Sequence, residues 1–297
     1  MRSYRAFGLA IASAFEIAQI SEASARDHDV RIVRAELPDV LRDATLLTIR
    51  PGEIRFGSPQ VGAFRISGGS LIEVDADPVC TPSHLGAYLM GSCMGAILHQ
   101  RGLLPIHGSC VTDGRRSILI TGDSGAGKST LAAEFLKRGW KLLTDDVSAV
   151  EDLQGTPMVR SSYPSQKLWQ DALERYERPD SDVHSLYFDE NREKFGVDVS
   201  RYFHEGSAPL SLVVRLIPAE GPCSVSPIQG MAKADQLLRN TYRSYMIAPE
   251  DRQRHFQRCV TLSTKIPMAL AIREKDRHCA PELFERITKF MEEHSHD

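Results

Sequence analysis

The sequence predicts an α/β fold: a P-loop core whose mixed sheet sends an antiparallel hairpin into the phosphate loop, behind a small β-rich N-terminal domain. Three observations predict it. Gly122–Ser129 (GDSGAGKS) fits the GxxxxGK[ST] pattern, after an apolar strand and at the start of a helix. Asp113-Gly114 separates two apolar runs just upstream, which is a hairpin signal. Residues 1–82 carry short apolar runs between turn residues, whereas 83–297 alternate strand-like and helix-like patterns, so the domains are expected at 1–82 and 83–297.

In chain order, the strands of the first domain are expected at Asp29–Glu36, Ile54–Phe56, Val61–Ile66 and Leu71–Val74. Gly57-Ser58-Pro59 and Gly68-Gly69-Ser70 supply turns. The opening MRSYRAFGLAIASAF followed by Ala23-Ser24-Ala25 mimics a short signal peptide, but Glu16 and Glu22 interrupt it and the apolar run is short. Ser83–Gln100 reads as a helix, with Leu85, Leu89, Cys93, Ala96 and Ile97 at three- or four-residue steps and Gly102 as a stop. Pro105–Thr112 and Ser117–Thr121 form the hairpin. A helix follows over Lys128–Arg138 with Gly139 beyond its end, then a strand Lys141–Thr144 ending in Asp145-Asp146. Further helices are expected at Ser165–Arg178, Met231–Tyr245, Pro249–Thr264 and Pro281–His294, and strands at Leu210–Ile217 and Pro267–Arg273. The polar stretch Asp180–Asp198 is expected to be a loop.

The phosphate loop needs each of its residue types. Gly122, Gly125 and Gly127 let the backbone wrap tightly so that successive N–H groups point at phosphate oxygens. The helix N-terminus adds a favourable dipole for an anion. Lys128 supplies a point charge between the outer phosphates, and the Ser129 hydroxyl can ligate Mg²⁺. Asp123, Ser124, Ala126 and Thr130 complete the expected nucleotide-contact set.

Hairpin geometry places His107 opposite Ile120 or opposite Gly122, depending on whether the loop is Asp113-Gly114 or all of Asp113–Arg116. Either register puts this histidine beside the loop's first glycine, where it could act in catalysis or sense phosphate. The strand–loop–helix–strand unit from Ser117 to Thr144 makes its two strands parallel and close neighbours, with Lys128 and both aspartates at one sheet edge. Two adjacent carboxylates at a phosphate site suggest divided roles, one holding Mg²⁺ and the other accepting the proton of an attacking hydroxyl. A plain Mg²⁺-holding acidic motif or a solvated turn are the alternatives. Arg239 and Arg243 are expected one helical turn apart, and Trp169 in the core.

Composition narrows the partners. With 36 Lys+Arg against 39 Asp+Glu the formal net charge is −3, which argues against nucleic acid as the main partner. No apolar run reaches the length of a membrane-spanning helix, so no membrane partner is expected. The six cysteines form no CxxC pair and no zinc spacing, which fits reduced thiols in a cytoplasmic protein.

The set Ile106-His107-Gly108, Gly122–Ser129, Lys137-Arg138-Gly139 and Leu143-Thr144-Asp145-Asp146 resembles the HPr kinase/phosphorylase family over about residues 104–151. The resemblance implies an ATP- and Mg²⁺-dependent kinase acting on a serine hydroxyl. Asp145 then matches the proton acceptor, partnered by His107; Lys128 binds phosphates, and Ser129 and Asp146 lie on the metal side. The family's phosphate loop ends Lys-Ser-Glu, where this chain has Lys128-Ser129-Thr130. Its Arg-Gly-x-Gly-Ile-Ile-Asp stretch has no counterpart between Val199 and Tyr245. Both departures argue against phosphorolysis and against HPr as the acceptor. Across its whole length the chain is similar to the HPr-kinase-related proteins of peptide natural-product clusters. That similarity rests on Tyr4–Leu9, Gln100–His107, Ser162-Tyr163-Pro164 and Lys167-Leu168-Trp169. Some members of that group phosphorylate lasso-peptide precursors on a C-terminal serine, which implies a precursor peptide or small protein as partner. HPr kinases are hexamers, which leaves a homo-oligomer open. A small-molecule kinase and an ATP-binding regulatory or assembly protein are the rival readings.

Overall fold

The computed structural model describes residues 1–39, 46–176, 183–189, 192–275 and 277–294, with the side chains of 171, 175, 183–189 and 192–194 outside the description. The chain forms two compact units, Met1–Pro105 with Tyr242–His255, and Ile106–Thr241 with Phe256–Asp297. The helical segment after Pro82 therefore belongs to the first unit, and so does a short return of the chain near residue 250.

The first unit is built on β1 (Arg2–Ala6), β2 (Leu9–Ser13), β3 (Val30–Arg34), β4 (Leu47–Arg50), β5 (Glu53–Ser58), β6 (Gly62–Ser67) and β7 (Leu71–Ala76), in sheet order β1-β2-β3-β7-β6-β5-β4. The apolar N-terminal run is β2, buried at all five positions. Two short helices follow, α1 (Pro82–Tyr88) and α2 (Met94–Gln100), joined by a π-helical turn over Leu89–Cys93. The single helix expected over Ser83–Gln100 is thus interrupted. Gly91 and Gly95 lie against the Tyr242 side chain, where a β-carbon would crowd the ring.

The second unit carries the phosphate loop. Its elements are β8 (Leu104–Thr112), β9 (Ser117–Thr121), α3 (Lys128–Lys137), β10 (Lys141–Thr144), β11 (Val147–Leu153), β12 (Thr156–Arg160), β13 (Ser165–Trp169), α4 (Gln170–Arg175), β14 (Val183–Asp189) and β15 (Arg192–Asp198). They continue with β16 (Ser207–Ala219), β17 (Ser224–Pro227), α5 (Met231–Arg239), α6 (Arg252–Lys265), β18 (Met268–Glu274) and α7 (Ala280–His294). An eight-stranded mixed sheet holds β8 to β12 and β16 to β18, and β13, β15 and β14 form a separate three-stranded sheet. Parallel pairing of β9, β16 and β18 gives the sheet its α/β character. α3 is buried at every residue from Leu131 to Leu136, and Leu131, Phe135 and Leu136 join the core, each large side chain contributing about 1.5–3 kcal/mol.

The hairpin takes the longer-loop register: Gly108 pairs with Thr121 and Thr112 with Ser117, which carries His107 to the level of Gly122. The expectation that β9 and β10 are close neighbours is corrected. Each pairs antiparallel with β8, so they run parallel on either side of it. The β8–β10 ladder shifts by one residue between Leu142 and Thr144. This bulge re-aims the end of the strand.

The helix expected from Ser165 starts only at Gln170. The preceding residues form β13, because Ser165–Trp169 pairs with Lys194–Asp198 on β15 and the backbone N–H of Lys167 is engaged by a side chain rather than by a helical carbonyl. The helix expected over Met231–Tyr245 ends at Arg239. Beyond it Thr241 bridges to Ile106, and Arg243 adopts the left-handed region with φ 49°, so Arg239 and Arg243 do not share a helix face. Within the expected loop Asp180–Asp198, residues 180–182 and 190–191 lie outside the described residues. The backbone of the rest pairs as the β14–β15 hairpin. Among the described residues no helix is long and apolar enough to cross a membrane.

Candidate active site

The residues expected to handle a phosphate converge where β9 and β10 end, beside His107 and Ser109 of the antiparallel β8. The loop between β9 and α3 begins at Gly122, whose φ is 142° and where a β-carbon would collide with the Leu216 carbonyl oxygen, so only glycine fits. Gly127 caps α3 in the left-handed region, φ 101°. Arg273, at the end of β18, donates from Nε to the Ala126 carbonyl at 2.8 Å and pins the loop from outside. Lys128 is 8% exposed and its Nζ donates to the Gly122 and Asp123 carbonyls at 2.9 and 3.0 Å, so the ammonium rests on its own loop.

The two aspartates occupy different surroundings. Asp145 is 5% exposed and accepts three hydrogen bonds: Ser109 Oγ at 2.5 Å and Ser129 Oγ at 3.1 Å to Oδ1, and the Lys167 backbone N–H at 2.7 Å to Oδ2. Ser109 and His107 are two residues apart on β8 and so project to the same side. The bulge in β10 brings Asp145 level with Ser109. Asp146 has φ 75°, and its side chain is 22% exposed. Its carboxylate accepts from Lys167 Nζ at 2.6 Å and lies 3.5 Å from His107 Nδ1, which also stands 2.9 Å from the Asp146 carbonyl oxygen. His107, expected to act with Asp145, stands against Asp146, and Ser129, expected on the metal side with Asp146, bonds Asp145. The pairs present are His107 with Asp146 and Ser129 with Asp145, because the two successive residues leave the strand end in different directions.

These groups line one cleft of about 450 Å³. Its walls include His107, Ser109, Ser124, Lys128, Asp145, Asp146 and Lys167. Gly125, Gly127, Ser129 and Thr130 also line it, whereas Gly122, Asp123 and Ala126 shape the loop behind. Trp169 lines the cleft and is half-buried, not a core residue. Sequence reasoning missed Ser109 and Lys167. The signal for Ser109 was its place two residues after His107 on a strand; nothing local marks Lys167.

Among the described residues no group of three or more His, Cys, Asp or Glu is arranged to hold a metal. Ser129 Oγ and the Asp145 carboxylate, 3.1 Å apart, nevertheless supply the hard oxygen donors that suit Mg²⁺. That ion is usually held by one or two carboxylates, with substrate phosphates and water completing its shell.

The phosphate loop and both aspartates lie within a segment that matches a known family. Residues 103–174 match the family model described as HPr Serine kinase C-terminal domain. An HPr kinase/phosphorylase of Clostridium beijerinckii is 46% identical over 56 residues, covering 19% of this chain and 18% of that protein. The Clostridium acetobutylicum HPr kinase/phosphorylase is 41% identical over 58 residues, covering 20% and 19%. A solved structure, the Hpr(Ser) kinase/phosphatase from Coxiella burnetii, aligns with 64% of this chain and 91% of its own at 12% identity and a TM-score of 0.35. The chain thus spans under a fifth of the curated relatives it matches. The segment that matches the family model, Leu103 to Glu174, holds Gly122–Ser129, both aspartates and Lys167.

Proposed function

We propose that this chain is a kinase that transfers the γ-phosphoryl group of ATP, in the presence of Mg²⁺, to a serine hydroxyl of a peptide or small protein. The observation that carries the reading is the direct contact between Ser129 of the phosphate loop and the Asp145 carboxylate. It joins the anion-binding and acidic halves of one cleft within the segment similar to HPr kinases.

The hydrogen bonds favour different roles for the two aspartates. Asp145 is buried, saturated by three donors and tied to Ser129, which suits a fixed ligand on the metal side. Asp146 is more open and stands with His107, which suits it to accept a proton from an incoming hydroxyl. This exchanges the roles implied by the family resemblance. When bound, Mg²⁺ offsets charge on the β- and γ-phosphoryl oxygens. Lys128 turns from the Gly122 and Asp123 carbonyls toward the outer phosphates, and the α3 N-terminus and loop N–H groups orient them. The serine oxygen forms its bond to the γ-phosphorus as the bond to the β–γ bridging oxygen breaks. The serine proton goes to the Asp146 carboxylate, with His107 holding that residue in place, and ADP leaves.

We assign the acceptor to a lasso-peptide precursor, on the N-terminal and Ser162–Trp169 similarity. HPr is the second reading, favoured by curated relatives named HPr kinase/phosphorylase. We place the reaction in the cytoplasm, in keeping with six free thiols, and leave a homo-oligomer as part of the proposal. The test is label transfer from γ-labelled ATP with Mg²⁺ to a precursor peptide ending in serine and to HPr. Labelled phosphoserine in the peptide is expected. Label in HPr alone selects the second reading; ATP hydrolysis with label in neither sinks the serine-kinase reading in favour of an ATP-binding regulatory protein.

A further inference from the structure

Lys167 touches both aspartates. Its backbone N–H donates to Asp145 Oδ2 at 2.7 Å, and its ammonium donates to Asp146 Oδ2 at 2.6 Å. Through Asp145 it lies one carboxylate away from Ser129 Oγ. Its side chain is 18% exposed and lines the cleft together with Lys128. Both lysines of this wall are engaged by protein acceptors, Lys128 by loop carbonyls and Lys167 by the Asp146 carboxylate. β13 also holds the Lys167 backbone, which pairs with Gly196 of β15.

We propose that Lys167 is a positioning residue that exchanges partners on nucleotide binding, its ammonium moving from the Asp146 carboxylate to the γ-phosphoryl group. The exchange rests on the proposed reading of this cleft as an ATP site. An ammonium paired to Asp146 stabilises the carboxylate and blocks its approach to an acceptor proton. A γ-phosphoryl group carries more negative charge than the carboxylate and competes for the same ammonium. Release of Asp146 then accompanies ATP and not ADP, so the proton acceptor is exposed only when there is a group to transfer. Because ATP must break the Lys167–Asp146 pair, the two residues are energetically coupled through the ligand.

The experiment is a double-mutant cycle read by binding alone. Affinities for MgADP and for an ATP analogue with a non-hydrolysable β–γ bridge are measured by calorimetry in the wild type, Lys167→Met, Asp146→Asn and the double variant. Lys167→Met should lower the preference for the ATP analogue over ADP about tenfold, equivalent to about 1.4 kcal/mol. Asp146→Asn should raise that preference in the wild type and change it less than about twofold in the Lys167→Met background. The same change in both backgrounds, or an unaltered preference in Lys167→Met, overturns the exchange. Lys167→Gln takes the place of Lys167→Met if that variant does not fold. Binding of neither nucleotide by the wild type refutes the ATP-site reading itself, which separates the two failures.

Discussion

Replacing each aspartate by asparagine separates their roles, because the two substitutions break different things. Asp145→Asn leaves one oxygen and one NH₂ where the carboxylate accepts from Ser109, Ser129 and Lys167 N–H. The amide oxygen can keep the Lys167 N–H, which cannot turn around; the two hydroxyls must rotate to accept, and the charge assistance is lost at all three. With charge-assisted bonds worth about 1.5–3 kcal/mol and neutral ones about 1, the net loss comes to about 2–3 kcal/mol. Over a chain of 297 residues this lowers the melting temperature by about 3–5 °C. Asp146→Asn removes a partly exposed ion pair and should cost under about 1 kcal/mol. Catalysis should run the other way. Asp146→Asn is expected to lower phosphoryl transfer by about 10²–10⁴-fold while still binding MgADP, and Asp145→Asn to weaken MgADP binding itself. Thermal unfolding, calorimetry and label transfer on the two proteins measure all four quantities. Equal melting-temperature losses, or an Asp146→Asn protein with undiminished transfer, refutes the division.

Other outcomes follow from groups elsewhere in the fold. Burial pushes the His99 pKa down to about 4, with His255 nearby acting in the same direction, so the folded state holds this imidazole neutral. Between about pH 6.5 and 4 the unfolded chain binds the extra proton, and stability is lost as pH falls through that window. By urea unfolding the wild type should lose about 2–3 kcal/mol more than His99→Gln between pH 7.5 and 4.5; equal losses contradict it. Trp169 lines the cleft whereas Trp140 is packed 5.1 Å from Phe135, so a nucleotide-induced change in tryptophan emission should vanish in Trp169→Phe and persist in Trp140→Phe. Cys80 is half-buried and the other five thiols are buried, with Cys110 and Cys259 pushed up to about 12 by burial. Iodoacetamide at pH 8 should therefore label Cys80 first in the native protein, by mass spectrometry of digests, and all six after unfolding.

The parts of the site legible in the sequence are those fixed by local pattern. Gly122–Ser129 names its own geometry, and the Asp-Gly turn placed His107 beside it, because a hairpin register follows from loop length. Lys167 was hidden for the opposite reason. Whether Ser165–Trp169 is helix or strand depends on β15, almost thirty residues later, and a strand partner overrides a weak helical pattern. The different surroundings of Asp145 and Asp146 were equally out of reach. Adjacent carboxylates look equivalent in a sequence, and what separates them is a one-residue bulge near Leu143 and a left-handed backbone at Asp146.

The position of β8 between β9 and β10 sets a length. Two strands paired to opposite edges of a third stand two ladder spacings apart, about 9.6 Å. The strand that launches the anion-binding turn and the strand that ends in carboxylates are therefore separated by a distance dictated by peptide hydrogen bonding, not by side-chain packing. β8 fills that gap, and its His107 and Ser109 line the cleft. Side-chain substitutions along the cleft can retune what it accepts without altering that separation, whereas no single substitution can widen the separation while the three strands remain paired.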